Sequence, residues 1–95
     1  LAGGYNIYPR EIDEVLFSHP LIMEACAKGV KDAYRGETVR AYVVPMKGAD
    51  LTPDDVTAFC KENLAAYKVP KSVVFVDQLP KTATGKILRK DLPDE

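Results

Sequence analysis

The stretch PKTATGK at residues 80–86 gathers the residue types in this chain best suited to anion chemistry: a lysine preceded by a glycine and two threonines, on a segment whose Thr, Pro and Gly content marks an exposed loop. A lysine so placed is a movable point charge that can meet a phosphate or carboxylate oxygen where negative charge is redistributed. A nucleotide P-loop is the first alternative, but it requires GxxxxGK followed by Ser or Thr to ligate magnesium, with a strand leading into it. Here Ile87 follows Lys86 and Pro80 stands where the first glycine belongs, so that reading fails. A solvated basic face is the other alternative. The pattern predicts a short helix from about Lys86 to Leu92, and Lys86, Arg89 and Lys90 would add positive charge to the positive end of its dipole. At an exposed site that conflict costs only about a few tenths of a kcal/mol, so composition alone favours the solvated face.

A second candidate lies at the other end of the chain. Gly3 and Gly4 permit positive φ or a close approach of ligand to backbone, although a plain turn explains them equally simply when that segment is taken alone.

The bulk numbers bound what these residues can belong to. A chain of 95 residues fits one domain, able to bury about 60 to 65% of the surface its unfolded form exposes. The net charge of -1 gives no general attraction to nucleic acid or anionic lipid, so any anion site must be local. Between Lys68 and Lys90 six basic residues face a single acid, Asp77, while the remainder of the chain is acidic. No apolar run approaches the roughly 20 residues that a membrane span needs. Cys26 and Cys60 lie far apart among apolar neighbours, without CxxC or metal-type spacing, which suggests buried thiols and a reducing, cytoplasmic setting. His19, before Pro20, is expected in a loop rather than on a metal. The opening Leu1-Ala2, with no initiator Met, suggests an excised piece of a longer protein.

The elements that must position these residues follow from periodicity. GGYNIY (3–8) reads as a turn into a short strand. Ile12, Val15 and Leu16 at i, i+3 and i+4 give an amphipathic helix over 10–18, opened by Pro9 and ended by His19-Pro20. Residues 24–31 and 37–45 read as strands joined by a polar turn, together a hairpin. Thr52, Pro53 and Asp55 signal the start of a second helix with Val56, Phe59, Cys60 and Leu64 on its buried face. SVVFVD (72–77) is a third strand, apolar enough to be expected inside the sheet. The order is (β)αββαβα, and the predicted class is α+β: a small mixed sheet with helices packed against it.

Three segments then carry a resemblance. GGYNIYPREIDEVL (3–16), YKVP (67–70) and LPKTATGKILRK (79–90) closely resemble, in order and spacing, three successive signatures of the acyl-adenylate-forming superfamily, which includes acyl-CoA synthetases, firefly luciferase and the adenylation domains of peptide synthetases. The resemblance covers essentially the whole chain, and the wording looks most like bacterial medium-chain or long-chain fatty-acid-CoA ligases. It implies that residues 1–95 are the mobile C-terminal domain of such an enzyme, lacking the large N-terminal domain with its phosphate loop, adenine and acyl pockets and magnesium site. The parent would join a fatty or other carboxylic acid to ATP, with Mg2+, and pass the acyl group to CoA. By resemblance Lys86 is the lysine of the adenylation step, acting as an electrostatic clamp rather than a nucleophile, and Gly4 is the glycine that lets pantetheine pass, with Gly3 and Asn6 in the same loop. It also implies that the fragment alone has no turnover, that it binds no cofactor by itself, and that an acetyltransferase could silence the parent at Lys86. A peptide-synthetase adenylation domain and a stand-alone protein-binding module with a Lys-rich face are the competing readings.

Overall fold

The computed structural model describes residues 7–34 and 36–93. Helix α1, Pro9–Phe17, begins on the proline that favours a first helical position and buries Ile12 and Leu16, four residues apart, on one stripe. His19 lies in the loop that follows, where its Nδ1 accepts the Leu21 N–H at 3.0 Å. Strands β1 (Ile22–Asp32) and β2 (Gly36–Pro45) form the expected antiparallel hairpin, with Cys26 opposite Tyr42 and Asp32 opposite Gly36. Gly36 takes φ +80°, a left-handed conformation that glycine adopts without the steric cost a side chain brings.

Helix α2, Pro53–Asn63, opens with a full capping box: the Thr52 hydroxyl accepts the Asp55 N–H at 3.1 Å, and the Asp55 carboxylate accepts the Thr52 N–H at 2.9 Å. It is the crossover of a βαβ unit, because β3 (Ser72–Phe75) returns parallel to β2, with Arg40 beside Ser72 and Val43 beside Phe75. The sheet is therefore mixed, in the order β1-β2-β3. This corrects the expectation that β3 lies inside the sheet. The hairpin takes one side of β2 and the crossover returns on the other, so β2 is central and β3 is an edge. The apolar run in β3 reflects Val73 and Phe75 packing beneath the helices, while Val74 is exposed.

Alternation along β2 creates two cores. Val39, Ala41 and Val43 point to the face covered by α1 and α2, where they meet Ile12, Leu16, Val56 and Cys60. Tyr42 and Val44 point to the opposite face and join Cys26, Leu79 and Leu92, with Val76 and Ile87 against them. The C-terminal segment thus covers the face of the sheet that the helices leave open.

That segment departs from the sequence reading. The last helical element is a single 3-10 turn, Arg89–Asp91, and the residues before it form a tight hairpin in which Lys81 pairs with Ile87. The backbone bonds explain why no helix starts at Lys86. Its carbonyl accepts the Thr82 N–H at 2.8 Å, the Leu88 N–H is taken by the Pro80 carbonyl at 2.8 Å, and Gly85 adopts φ +88°. The expected clash between basic residues and a helix dipole does not arise. The first expected strand, 3–8, falls mostly outside the described residues; Ile7 and Tyr8 are not in a strand.

Candidate functional site: the Lys86 hairpin

The hairpin that carries Lys86 is held together by its two threonines. Thr82 Oγ1 accepts the Lys86 N–H at 3.1 Å and lies 3.0 Å from Thr84 Oγ1, and the Thr82 carbonyl accepts the Gly85 N–H at 2.9 Å. The hydroxyl residues flanking the lysine therefore shape the loop. The Lys86 backbone is fixed at both N–H and C=O, whereas its side chain is exposed and has no hydrogen-bond or ion-pair partner among the described residues. A primary ammonium on a fixed backbone, with its donors unspent, is suited to receive an anion brought by another body.

Below the tip, polar contacts fasten the hairpin and tail to the sheet. Lys81 pairs with Glu24 of β1, Lys28 Nζ donates to the carbonyls of Lys90 (3.3 Å) and Leu92, and the Tyr42 hydroxyl donates to the Pro93 carbonyl. Arg89 reaches farthest. Its Nη2 lies 2.8 Å from Asp13 Oδ2 on α1, and its Nη1 donates to the Ala27 carbonyl and lies 3.4 Å from Asp13 Oδ1. Asp13 Oδ1 in turn accepts the Ala27 N–H at 2.7 Å. Ala27 sits on the outer edge of β1, so one carboxylate and one guanidinium satisfy both of its edge-facing backbone groups. Hydrogen bonding to Asp13 pushes the Arg89 pKa up further, against the cost of its burial.

Neither cysteine offers a nucleophile. Burial pushes the Cys60 thiol up to about 11, and burial also raises Cys26, although the nearby Arg89 and Lys28 charges pull the other way. The basic residue of the YKVP segment, Lys68, lies 2.8 Å from Glu11 Oε1 in the first turn of α1, and that hydrogen bond raises its pKa. Gly3, Gly4 and Asn6 fall outside the described residues, so the structure brings only Lys86 of the predicted site residues into view. The sequence reading gave no role to Arg89, Asp13 or Glu24. Arg89 and Asp13 lie within the quoted segments, but what joins them is a contact across 76 residues that no local pattern records.

No group of three His, Cys, Asp or Glu side chains that could hold a metal ion occurs among the described residues. No helix among them is long and apolar enough to cross a membrane.

Comparison with known proteins places these features in a family. Residues 11–86 match the AMP-binding enzyme C-terminal domain. The chain is 55% identical over its full 95 residues to a long-chain-fatty-acid–CoA ligase of Bacillus subtilis (strain 168), of which it covers 17%. Among solved structures it superposes on MatB from Rhodopseudomonas palustris, crystallised with ATP, at TM-score 0.88 and 39% identity, over 95% of this chain and 18% of that one. It also superposes on o-succinylbenzoate CoA synthetase (MenE) from Bacillus subtilis, in complex with its acyl-adenylate intermediate, at TM-score 0.89 and 40% identity, over all of this chain and 19% of that one. The chain therefore spans less than a fifth of the length of the relatives it matches.

Proposed function

The chain belongs to the AMP-binding enzyme C-terminal domain family, and from that premise we propose that it is the mobile catalytic lid of an AMP-forming acyl-CoA ligase, with Lys86 as its adenylation residue. The observation that carries the reading is the state of Lys86: exposed, unpartnered among the described residues, and mounted on a hairpin whose backbone is fixed. In the parent, a carboxylic acid attacks the α-phosphorus of ATP, pyrophosphate leaves, and the acyl-adenylate then yields a thioester and AMP when CoA attacks. Negative charge moves from the carboxylate toward the phosphate oxygens in the first step. The Lys86 ammonium, brought into the site by lid closure, stabilises that charge through short N–H···O contacts while remaining protonated throughout. In the second step the domain turns its other segment to the site, where Gly4, flanked by Gly3 and Asn6, leaves room for pantetheine; this part rests on the sequence resemblance.

The remaining substrate chemistry belongs to the rest of the ligase. Any magnesium ion accompanying ATP would be held outside this domain, where the resemblance places its site, and no step is assigned to one here. The acyl group is also selected elsewhere, since domains this similar serve enzymes named for a long-chain fatty acid and for o-succinylbenzoate. The principal partner is the N-terminal domain, the setting is cytoplasmic, and the isolated lid has no turnover. The same exposure makes Lys86 a target for an acetyltransferase, and losing its charge would arrest adenylation.

The test uses the full-length parent. Lys86→Ala lowers pyrophosphate exchange by about 10² or more, while thioester formation from supplied acyl-adenylate survives. Gly4→Leu does the reverse, sparing exchange and blocking transfer to CoA. Equal loss of both half-reactions in a folded Lys86→Ala enzyme would refute the assignment.

A further inference from the structure

The clasp at the edge of β1 has a place in this chemistry. Arg89 follows Lys86 by three residues, just after the second limb of the hairpin ends at Ile87. Its guanidinium makes two kinds of contact at once, an ion pair at 2.8 Å with Asp13 on the helix face of the sheet and a hydrogen bond to the Ala27 carbonyl on the β1 edge. Asp13, largely sheltered with its side chain 16% exposed, holds the Ala27 N–H as well. Three elements are thus joined at one point: α1, the edge of β1 and the segment leaving the Lys86 hairpin. We propose that Arg89 is a positioning residue for Lys86, fixing the direction in which the hairpin presents the lysine by bridging Asp13 and the Ala27 carbonyl.

The geometry argues for positioning over general stability. The hairpin and tail have other fastenings: Leu79, Ile87 and Leu92 in the second core, Lys81 to Glu24, Lys28 to two tail carbonyls, and Tyr42 to Pro93. These hold the segment on the sheet when the clasp is lost. What they do not supply is a rigid planar contact three residues after the lysine, where the fixed fork of a guanidinium meets a carboxylate and a carbonyl together. A lysine ammonium at this position would meet such acceptors only from a flexible tip, without the fixed planar geometry. Electrostatic stabilisation depends steeply on placement, and a misplacement of about 1 Å can cost about 10²-fold in rate.

This inference rests on the lid reading of Lys86, and the experiment separates the two. In the full-length parent, Arg89→Ala and Arg89→Lys are each compared with the unmodified enzyme and with Lys86→Ala, alone and combined. Both Arg89 variants should lower kcat for pyrophosphate exchange by about 10- to 100-fold, with KM for ATP and thioester formation from supplied acyl-adenylate changed by less than about 2-fold. In the Lys86→Ala background, Arg89→Ala should cause no further loss, because the group it positions is gone. An additive loss in that background, an equal fall in both half-reactions, or adenylation at the parental rate in Arg89→Lys would each overturn the inference. Arg89→Lys carries the test should Arg89→Ala fail to fold. If Lys86→Ala itself adenylates normally, the lid reading falls and this inference with it, an outcome visible in the single variant before any Arg89 result is considered.

Discussion

On one face of the sheet α1 and α2 press Ile12, Leu16, Val56 and Cys60, all fully buried, against Ala25, Val39, Ala41 and Val43. On the other face there is no α-helix among the described residues. A hairpin and a 3-10 turn cover Cys26, Tyr42 and Val44, held by a few apolar side chains and by ties to Glu24, Lys28, Tyr42, Ala27 and Asp13. The first face is mainly a packing problem solved by shape, with the capping box of α2 satisfying groups locally and the Lys68–Glu11 pair adding one long-range tie. The second is held by individual long-range polar contacts, and it carries Lys86, the lysine proposed for adenylation. Apolar packing tolerates no gap but fixes no particular atom, whereas directional contacts can aim a side chain. On the role proposed for Lys86, a domain that must be stable and also present one ammonium at a defined place divides those tasks between its two faces.

The division is tested most severely on the helix face. Leu16→Ala removes a fully buried side chain from the centre of the larger core and should destabilise the domain by about 2 to 5 kcal/mol, from lost burial plus the cavity left behind. In a domain of this length each kcal/mol lowers Tm by roughly 4 to 8 °C, so thermal unfolding followed by circular dichroism will show it. A shift of only a degree or two would mean that the helix face does not carry the stability assigned to it.

This contrast also governs how much could be read before the structure. The helices and hairpin were legible because burial follows period: Ile12 with Leu16, and Val39, Ala41 and Val43 alternating with Tyr42 and Val44. The proposed role of Lys86 is legible only through motif resemblance, since composition alone favours a solvated surface. Two features were misread. β3 was expected inside the sheet because an apolar strand does not disclose whether a neighbour lies on each side of it. The Lys86 segment was expected to start a helix because local propensity cannot register that the Pro80 and Thr82 backbone groups capture Leu88, Lys86 and Gly85 first. Arg89 with Asp13 lay deeper still, since nothing local links two residues 76 apart.

The cysteines sharpen the comparison through pH. Burial among apolar side chains raises the Cys60 thiol from about 9 to about 11. Between those values the folded domain keeps a proton that the unfolded chain has released, so the contribution of Cys60 to stability is fully present below about pH 9 and is lost as pH rises through about 11. The loss approaches 2 to 3 kcal/mol, taking about 1.4 kcal/mol for each pH unit. Cys26, on the hairpin face, is raised as well, but Arg89 and Lys28 oppose its burial, so its share of the alkaline loss should be smaller. Urea unfolding at intervals from pH 8 to 11 is the measurement. Cys60→Ala should flatten the fall in stability, and Cys26→Ala should change it less. A larger flattening from Cys26→Ala would reverse the assignment of the drier environment.

The smallest expected effect concerns the ion pair between Lys81 and Glu24, which ties the first limb of the hairpin to β1. Both side chains keep contact with water, with Lys81 35% and Glu24 23% exposed, so their attraction is screened and partly offset by the entropy of holding two long side chains in place. A double-mutant cycle with Lys81→Met and Glu24→Gln should give a coupling of only about 0.2 to 1 kcal/mol, shrinking toward zero at 1 M salt, where the Debye length is about 3 Å. The value matters because the hairpin face has several such ties, and the comparison of faces holds only if each is individually weak and their role is directional. A coupling above about 2 kcal/mol that persists in high salt would show that charge stabilises the hairpin face on the scale of a buried leucine. The distinction drawn between a face that provides stability and a face that aims Lys86 would then have to be abandoned.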